Sequence, residues 1–185
     1  MKWIVKAVPE RADCVEYLQR HIPKLRVCWD EKRCAIDTFK RSLEMAGDDR
    51  CVHLEDDIWL TTDFTKKAIK EINTRPDAVI QFFSMRKKDL EIGSRWDNNF
   101  LMNQCVYFPR GHSRLMLEFF DGWWEQNQED HPNGTDQMVC DFLKARREKY
   151  WIHVPNLVDH RQQKSVIDPR RSSKRMSKTF QDKAD

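Results

Sequence analysis

Four short apolar runs recur at wide spacing in the first half of the chain: KWIVKAV (2–8), KLRVCW (24–29), CVHLEDD (51–57) and DAVIQFF (77–83). Between them the period changes. Cys14, Leu18 and Ile22, then Ile36, Phe39, Leu43 and Ala46, then Phe64, Ala68 and Ile72, recur every three or four residues, the spacing of one helix face. A period of two and a period of 3.6 cannot share one element, so strand and helix must alternate. A β-α-β-α-β-α-β order joins its strands by helical crossovers, which makes neighbouring strands parallel. The expected fold is α/β: a single domain with a mostly parallel central sheet flanked by helices. In such sheets ligands bind in the crevice beyond the carboxyl ends of the strands.

Local signals place the boundaries. Asp13 and Glu16 have the spacing of a capping box for the first helix, Gly47 suits the end of the second, and Pro76 ends the third. After residue 83 the pattern loosens, and SMRKKDLEIGSRWDNNF (84–100) reads as an irregular excursion near the crevice. NQCVYFP (103–109) is a strand, 113–128 a helix and NQEDHPNGT (127–135) a turn. Thr135 or Asp136 can cap a helix over DQMVCDFLKARR, and YWIHVPNL (150–157) is the last strand expected.

A chain of 185 residues is long enough to bury a core, and its seven Trp and ten Phe supply bulky material for one despite 34% charged residues. The net charge of +3 is too balanced to mark a nucleic-acid binder, but its distribution is uneven. Residues 164–185 hold seven basic residues against three acidic ones, so a globular unit over 1–163 and a basic tail over 164–185 are expected. The six cysteines form no C-x-x-C pair and mostly have apolar neighbours, the pattern of buried free thiols in a reducing cytoplasm rather than of zinc ligands. No window approaches 18 consecutive apolar residues, so neither secretion nor membrane spanning is indicated.

The stretch LEDD (54–57) raises an electrostatic question. Three carboxylates follow a strand that runs into the interior, and an ionised group there is costly unless something positive meets it. A hard divalent cation such as Mg²⁺ or Mn²⁺ would answer it, since such ions take oxygen ligands and keep positions open for phosphates. The same residues also suit a plain turn, with Asp56 and Asp57 capping the chain as it leaves the strand and Glu55 in solvent.

A first strand with a Pro-Glu-Arg loop, a strand ending CWD, a helix and an apolar strand ending LEDD together resemble the GT-A nucleotide-sugar glycosyltransferases, over residues 2–160 in element order. LEDD takes the place of the acidic DxD-type motif, in the form similar to the lipopolysaccharide and collagen galactosyltransferase group. The resemblance implies a GT-A (Rossmann-like) fold, an Mn²⁺ or Mg²⁺ cofactor and a nucleotide-sugar donor, UDP-linked. It implies Asp57 as direct metal ligand, Glu55 at the donor ribose or a metal-bound water, and Asp56 aimed at the sugar. Arg11 and Asp30 would line the nucleotide. Asp136 corresponds to the family's acidic residue beneath the acceptor and would be the general base, or else a plain helix cap. His160 stands where several members place a further metal ligand, or else is a solvated loop histidine. The motif is EDD rather than strict D-x-D, and the chain is short for a complete enzyme of this kind.

The acceptor is less constrained. Basic and hydroxyl residues alternate in KSVIDPRRSSKRMSKTF (164–180), a pattern able to track phosphates, so DNA with a hydroxymethylated pyrimidine is one candidate. Arg95, Trp96, Trp123 and Trp124 would then stack on an unstacked base, unless the Trp pair merely packs its helix. A lipopolysaccharide or other glycan is another acceptor candidate. A metal-dependent nuclease and a non-catalytic binding module are the rival classes, since clustered carboxylates also serve phosphodiester cleavage and a fold alone does not establish chemistry.

Overall fold

The computed structural model describes residues 1–163, 165–166 and 175–185. Seven strands form the main sheet: β1 (Lys2–Ala7), β2 (Arg26–Trp29), β3 (Cys51–Glu55), β5 (Ile80–Gln81), β6 (Arg95–Asp97), β7 (Cys105–Phe108) and β8 (Tyr150–Ile152). Their order is β2-β1-β3-β7-β5-β8-β6. The pairings β2/β1, β1/β3 and β5/β8 are parallel, whereas β7 opposes both its neighbours and β6 opposes β8. Five of the seven strands therefore run one way, and the sheet is mixed but mostly parallel. β4 (Ile58–Leu60) and β9 (Val158–His160) form a separate antiparallel pair.

Helices cover both faces: α1 (Ala12–His21), α2 (Ala35–Ala46), α3 (Phe64–Thr74), the short α4 (Asp89–Ile92), α5 (His112–Asn127) and α6 (Thr135–Ala145). The strand period divides the side chains between two cores. Trp3, Val5, Cys105 and Tyr107 join Leu18 of α1 and Phe64, Ala68 and Ile72 of α3. Ile4, Val106 and Phe108 join Phe39 and Leu43 of α2, Met116 of α5 and Phe142 of α6. Because both faces are covered, β1 reads as an almost continuous apolar run rather than an alternating one. Each fully buried Phe or Leu contributes about 1.5–3 kcal/mol, so these two layers dominate stability.

Several local expectations are corrected. α1 has Arg11 at its N-cap, with no side chain capping it among the described residues, and Asp13 lies inside the first turn. The chain enters this helix through a 3-10 turn at Pro9–Arg11, which moves the cap two residues ahead of the expected box. The third run, expected as a strand over 51–57, stops at Glu55: the chain bends at Asp56 and Asp57, and Ile58–Leu60 forms β4, paired with β9. DAVIQFF supplies only Ile80–Gln81, because Ala78 still donates to Arg75 of the preceding turn (3.2 Å) and the carbonyl of Phe82 accepts from Leu157 (3.1 Å). The excursion over 84–100 is ordered into α4 and β6, and a further strand, β9, follows β8.

Residues 175–185 are docked on the domain. Ala184 donates to the carbonyl of Leu60 (2.8 Å), Thr62 donates to that of Asp182 (2.6 Å), and the Lys183 ammonium lies 3.5 Å from the Trp59 ring centroid. Asn156 donates its backbone N–H to the Thr179 hydroxyl (3.1 Å). Lys164, Arg170, Arg171 and Lys174, on which phosphate tracking by the tail mostly rests, lie outside the described residues.

Candidate functional site

β1, β2 and β3 are parallel neighbours, so their carboxyl ends bring three separate loops to the same edge of the sheet. There they line one shared crevice, open to solvent. Arg11 arrives after β1, Asp30 after β2, and Glu55, Asp56 and Asp57 at the end of β3. The first turn of α6 faces them with Thr135 and Asp136, and the first turns of α2 contribute Ala35 and Thr38. Both helices thus present their positive ends to the crevice.

The cations that meet the acidic tip are protein side chains. Nη1 of Arg11 lies 2.8 Å from Oδ1 of Asp56 and 2.9 Å from Oδ2 of Asp57. The backbone N–H of Val8 donates to the other oxygen of Asp56 (2.9 Å), and Nζ of Lys6 is 2.8 Å from Oε1 of Glu55. Nε2 of His160 is 3.2 Å from Oδ2 of Asp57 and 2.8 Å from Nη2 of Arg175. His160 is not a solvated loop residue: it is buried in β9.

One guanidinium shared by two carboxylates splits their titration. Burial pushes Asp56 up to about 6, and the charge of Asp57 adds to that against the pull of Arg11 and the Val8 N–H. Asp57 is also raised by burial, but hydrogen bonding and charge from His160, with Arg11 and Arg175, outweigh this and hold it below the usual carboxylate value. Burial raises Glu55, opposed by Lys6 and reinforced by the charges of Asp57 and Asp136. Among the described residues the lining carries Lys6, Arg11 and Arg175 alongside Asp30, Glu55, Asp56, Asp57 and Asp136.

Asp30 is buried, and its Oδ1 accepts the N–H of Cys34 (2.9 Å), fixing the loop that leads into α2. Asp136 does not cap α6: the N-cap is Gly134, and Asp136 is the second residue of the first turn, half-buried and lining the crevice.

The carboxylates suit a divalent cation in donor chemistry but not in arrangement. Asp57 is engaged by Arg11 and His160, and Glu55 by Lys6. Among the described residues no three His, Cys, Asp or Glu side chains are grouped so as to hold a metal ion. Asp57 lies between Arg11 and His160, and His160 in turn lies beside Arg175.

The expected acceptor residues lie elsewhere. Arg95, Trp96, Trp123 and Trp124 are not part of the crevice lining. Arg95 and Trp96 sit on the edge strand β6, with Arg95 paired to Asp89 (2.7 Å). Trp123 is buried and donates its indole N–H to Asp141 of α6 (3.0 Å), while Trp124 stacks on Phe120. The pair packs helices.

The lining residues not anticipated include Lys6, Asn103, Gln104 and Arg175. A lysine inside the apolar run WIVKAV was a usable signal, since a buried lysine needs a carboxylate. Asn103 and Gln104 gave none, for they read as the polar lead into a strand.

No family model matches the chain, and no curated protein does either. Among solved structures, that of A197 from STIV is similar over 97% of this chain and 96% of its own, at 16% identity and a TM-score of 0.48. At that level of similarity neither activity nor ligand follows.

Proposed function

We propose that the crevice is a glycosyl-transfer site, taking a UDP-linked sugar and passing the sugar to an acceptor hydroxyl. One observation carries this. Arg11, Asp30, Glu55–Asp57 and Asp136, singled out for that chemistry in four separate stretches of chain, all line one crevice at the carboxyl ends of the parallel strands. The mostly parallel sheet between helices is compatible with the GT-A class.

The chain's own groups divide the work. Arg11, Lys6 and Arg175 are the positive charges available to a diphosphate, and Asp30 lies at the β2 edge, where the nucleoside end of the donor would rest. In a single displacement the acceptor oxygen bonds to the anomeric carbon as the bond from that carbon to the phosphate oxygen breaks. The nucleoside diphosphate leaves with the electron pair, and Asp136 takes the acceptor proton. Charge grows on the leaving diphosphate, so cations held beside it stabilise the transition state more than the ground state. The acceptor is any hydroxyl that reaches Asp136. Among the described residues no aromatic side chain lines the crevice, so a stacked DNA base has no platform there. All six cysteines are free thiols, which fits a reducing compartment. Among the described residues no helix is long and apolar enough to cross a membrane.

The test is a panel of nucleotide sugars, each with Mn²⁺ and with EDTA, read by thermal shift and by release of free nucleotide. Stabilisation and turnover with one UDP-sugar, lost in Asp57→Ala, is the expected result. If no donor shifts the melting temperature or is turned over in either condition, glycosyl transfer is the wrong reaction.

A further inference from the structure

Two side chains of the crevice are buried with polar atoms that nothing satisfies. Asn103 is 2% exposed, and neither its Oδ1 nor its Nδ2 has a partner among the described residues. Gln104 is 5% exposed, and its Oε1 is likewise unpaired. Buried amides are almost always hydrogen-bonded, so three such atoms on adjacent residues call for a partner that enters from outside.

The backbone holds them ready. Gln104 accepts the N–H of Glu55 at its carbonyl (2.9 Å), which ties the pair to the acidic tip. Just before them, Nε2 of Gln81 donates to the carbonyls of Leu101 and Met102, and Met102 has φ of +74°, a left-handed conformation that a side chain of this size rarely adopts. Strain of that kind persists where the surroundings enforce it, commonly at ligand sites.

Their place across the crevice identifies what they meet. The sheet order is β2-β1-β3-β7, with Asp30 after β2, Arg11 after β1, the acidic tip on β3 and the two amides leading into β7. A donor laid along this edge, with its nucleoside toward Asp30 and its diphosphate toward Arg11, puts its sugar at Asn103 and Gln104. An amide offers a donor and an acceptor side by side, and a sugar hydroxyl both donates and accepts. We infer that Asn103 and Gln104 read neighbouring hydroxyls of the hexosyl group being transferred, and so set which sugar the crevice accepts; this rests on the glycosyl-transfer proposal above.

The experiment compares binding of UDP, UDP-glucose and UDP-galactose to the full chain by calorimetry, with Mn²⁺ and with EDTA. It uses wild type, Asn103→Leu, which keeps the number and branching of side-chain heavy atoms, and Asn103→Ala, which does not. The wild type should bind one UDP-hexose more tightly than UDP. Both variants should bind UDP as the wild type does and lose about tenfold of the sugar's added affinity, the size of one or two hydrogen bonds. Without ligand, Asn103→Leu should melt at or above the wild-type temperature, because it removes unpaired polar atoms. If the variants keep the full preference for the UDP-hexose, or if Asn103→Leu melts several degrees lower, the amides are structural and this inference fails alone. If the wild type binds neither UDP nor any UDP-hexose, glycosyl transfer fails and takes this inference with it.

Discussion

The two ends of the sheet both gather buried charge, and they settle it differently. At the β6 edge Asp97 is fully engaged: Oδ2 meets Arg86 (2.6 Å) and Lys88 (3.3 Å), and Oδ1 accepts the N–H groups of Asn98 and Asn99. Arg75 lies flat over Trp151, 3.8 Å from its centroid, beside this edge. At the β2-β1-β3 end one arginine spans two carboxylates, and among the described residues the neighbouring amides carry atoms without a hydrogen-bond partner. Buried atoms without a hydrogen-bond partner occur at the β6 edge too, at Oδ2 of Asp89 and Nε of Arg95, so what separates the two ends is that the β2-β1-β3 end opens into a crevice lined by such groups. The crevice, rather than the charge, is what singles out one end as the candidate site, since sequence alone showed charge at both.

The largest effect that could break this contrast is on turnover. Asp136→Asn should lower nucleotide release in the presence of acceptor by about 10²–10⁴-fold, the usual contribution of a general base, with little change in melting temperature because the residue is half-exposed. Wild-type turnover in this variant would remove Asp136 from the chemistry. Next in size is Arg11→Ala. It strands Asp56 and Asp57 in a buried place, and breaking such a pair costs about 3–5 kcal/mol, read as a lower urea midpoint. Arg86→Ala at the other edge leaves Asp97 its lysine and two backbone donors, so the loss there should be roughly 1–3 kcal/mol. Equal losses at the two ends would erase the distinction.

Much of the crevice was legible because strand ends are legible. The apolar runs fixed where β1, β2 and β3 stop, and parallel pairing then brought Arg11, Asp30 and Glu55–Asp57 to one edge. What escaped depended on long-range partners. Asp56 and Asp57 were read as part of the strand 51–57, but Val8 and Arg11 hold Asp56 where the chain bends between β3 and β4. VDH (158–160) reads as polar, yet all three residues are buried, because Ser177 donates to Asp159 (2.7 Å) and Arg175 to His160, both from the docked end of the chain. RWD (95–97) is short and charged, and it is a strand by virtue of pairing with β8. The lack of partners at Asn103 and Gln104 exists only in the folded arrangement.

A third effect is a pH slope. In the unfolded chain Asp56 titrates near 3.8, and in the fold at about 6, so the folded state holds its proton more firmly. The stability this provides is complete below about pH 3.8 and is lost as pH rises through about 6, on the order of 3 kcal/mol. Asp57, shifted down, acts in the opposite sense and in a different window: its stabilisation is present above pH 3.8 and is lost as pH falls through its lowered value. Glu55 and Asp159 are raised by burial and act in the same direction as Asp56. The diagnostic is therefore a difference, with Asp56→Asn flattening the decline in stability between pH 4 and 6 relative to wild type. Parallel stability curves for the two proteins would show that Asp56 is ionised throughout.

The smallest effect belongs to the far edge. Trp96 is 50% exposed and meets Trp151 edge-on, with centroids 5.4 Å apart, an aromatic contact worth about 1 kcal/mol. Trp96→Ala should cost that much stability and leave nucleotide-sugar binding and turnover unchanged, since Trp96 does not line the crevice. The measurement that matters is the Michaelis constant for a glycosyl acceptor, which a residue remote from Asp136 has no means of altering. A raised constant at unaltered turnover would mean that a long acceptor runs from the crevice across to β6. The exposed tryptophan would then belong to the site after all, and the division between a reactive and an inert end of the sheet would have to be redrawn.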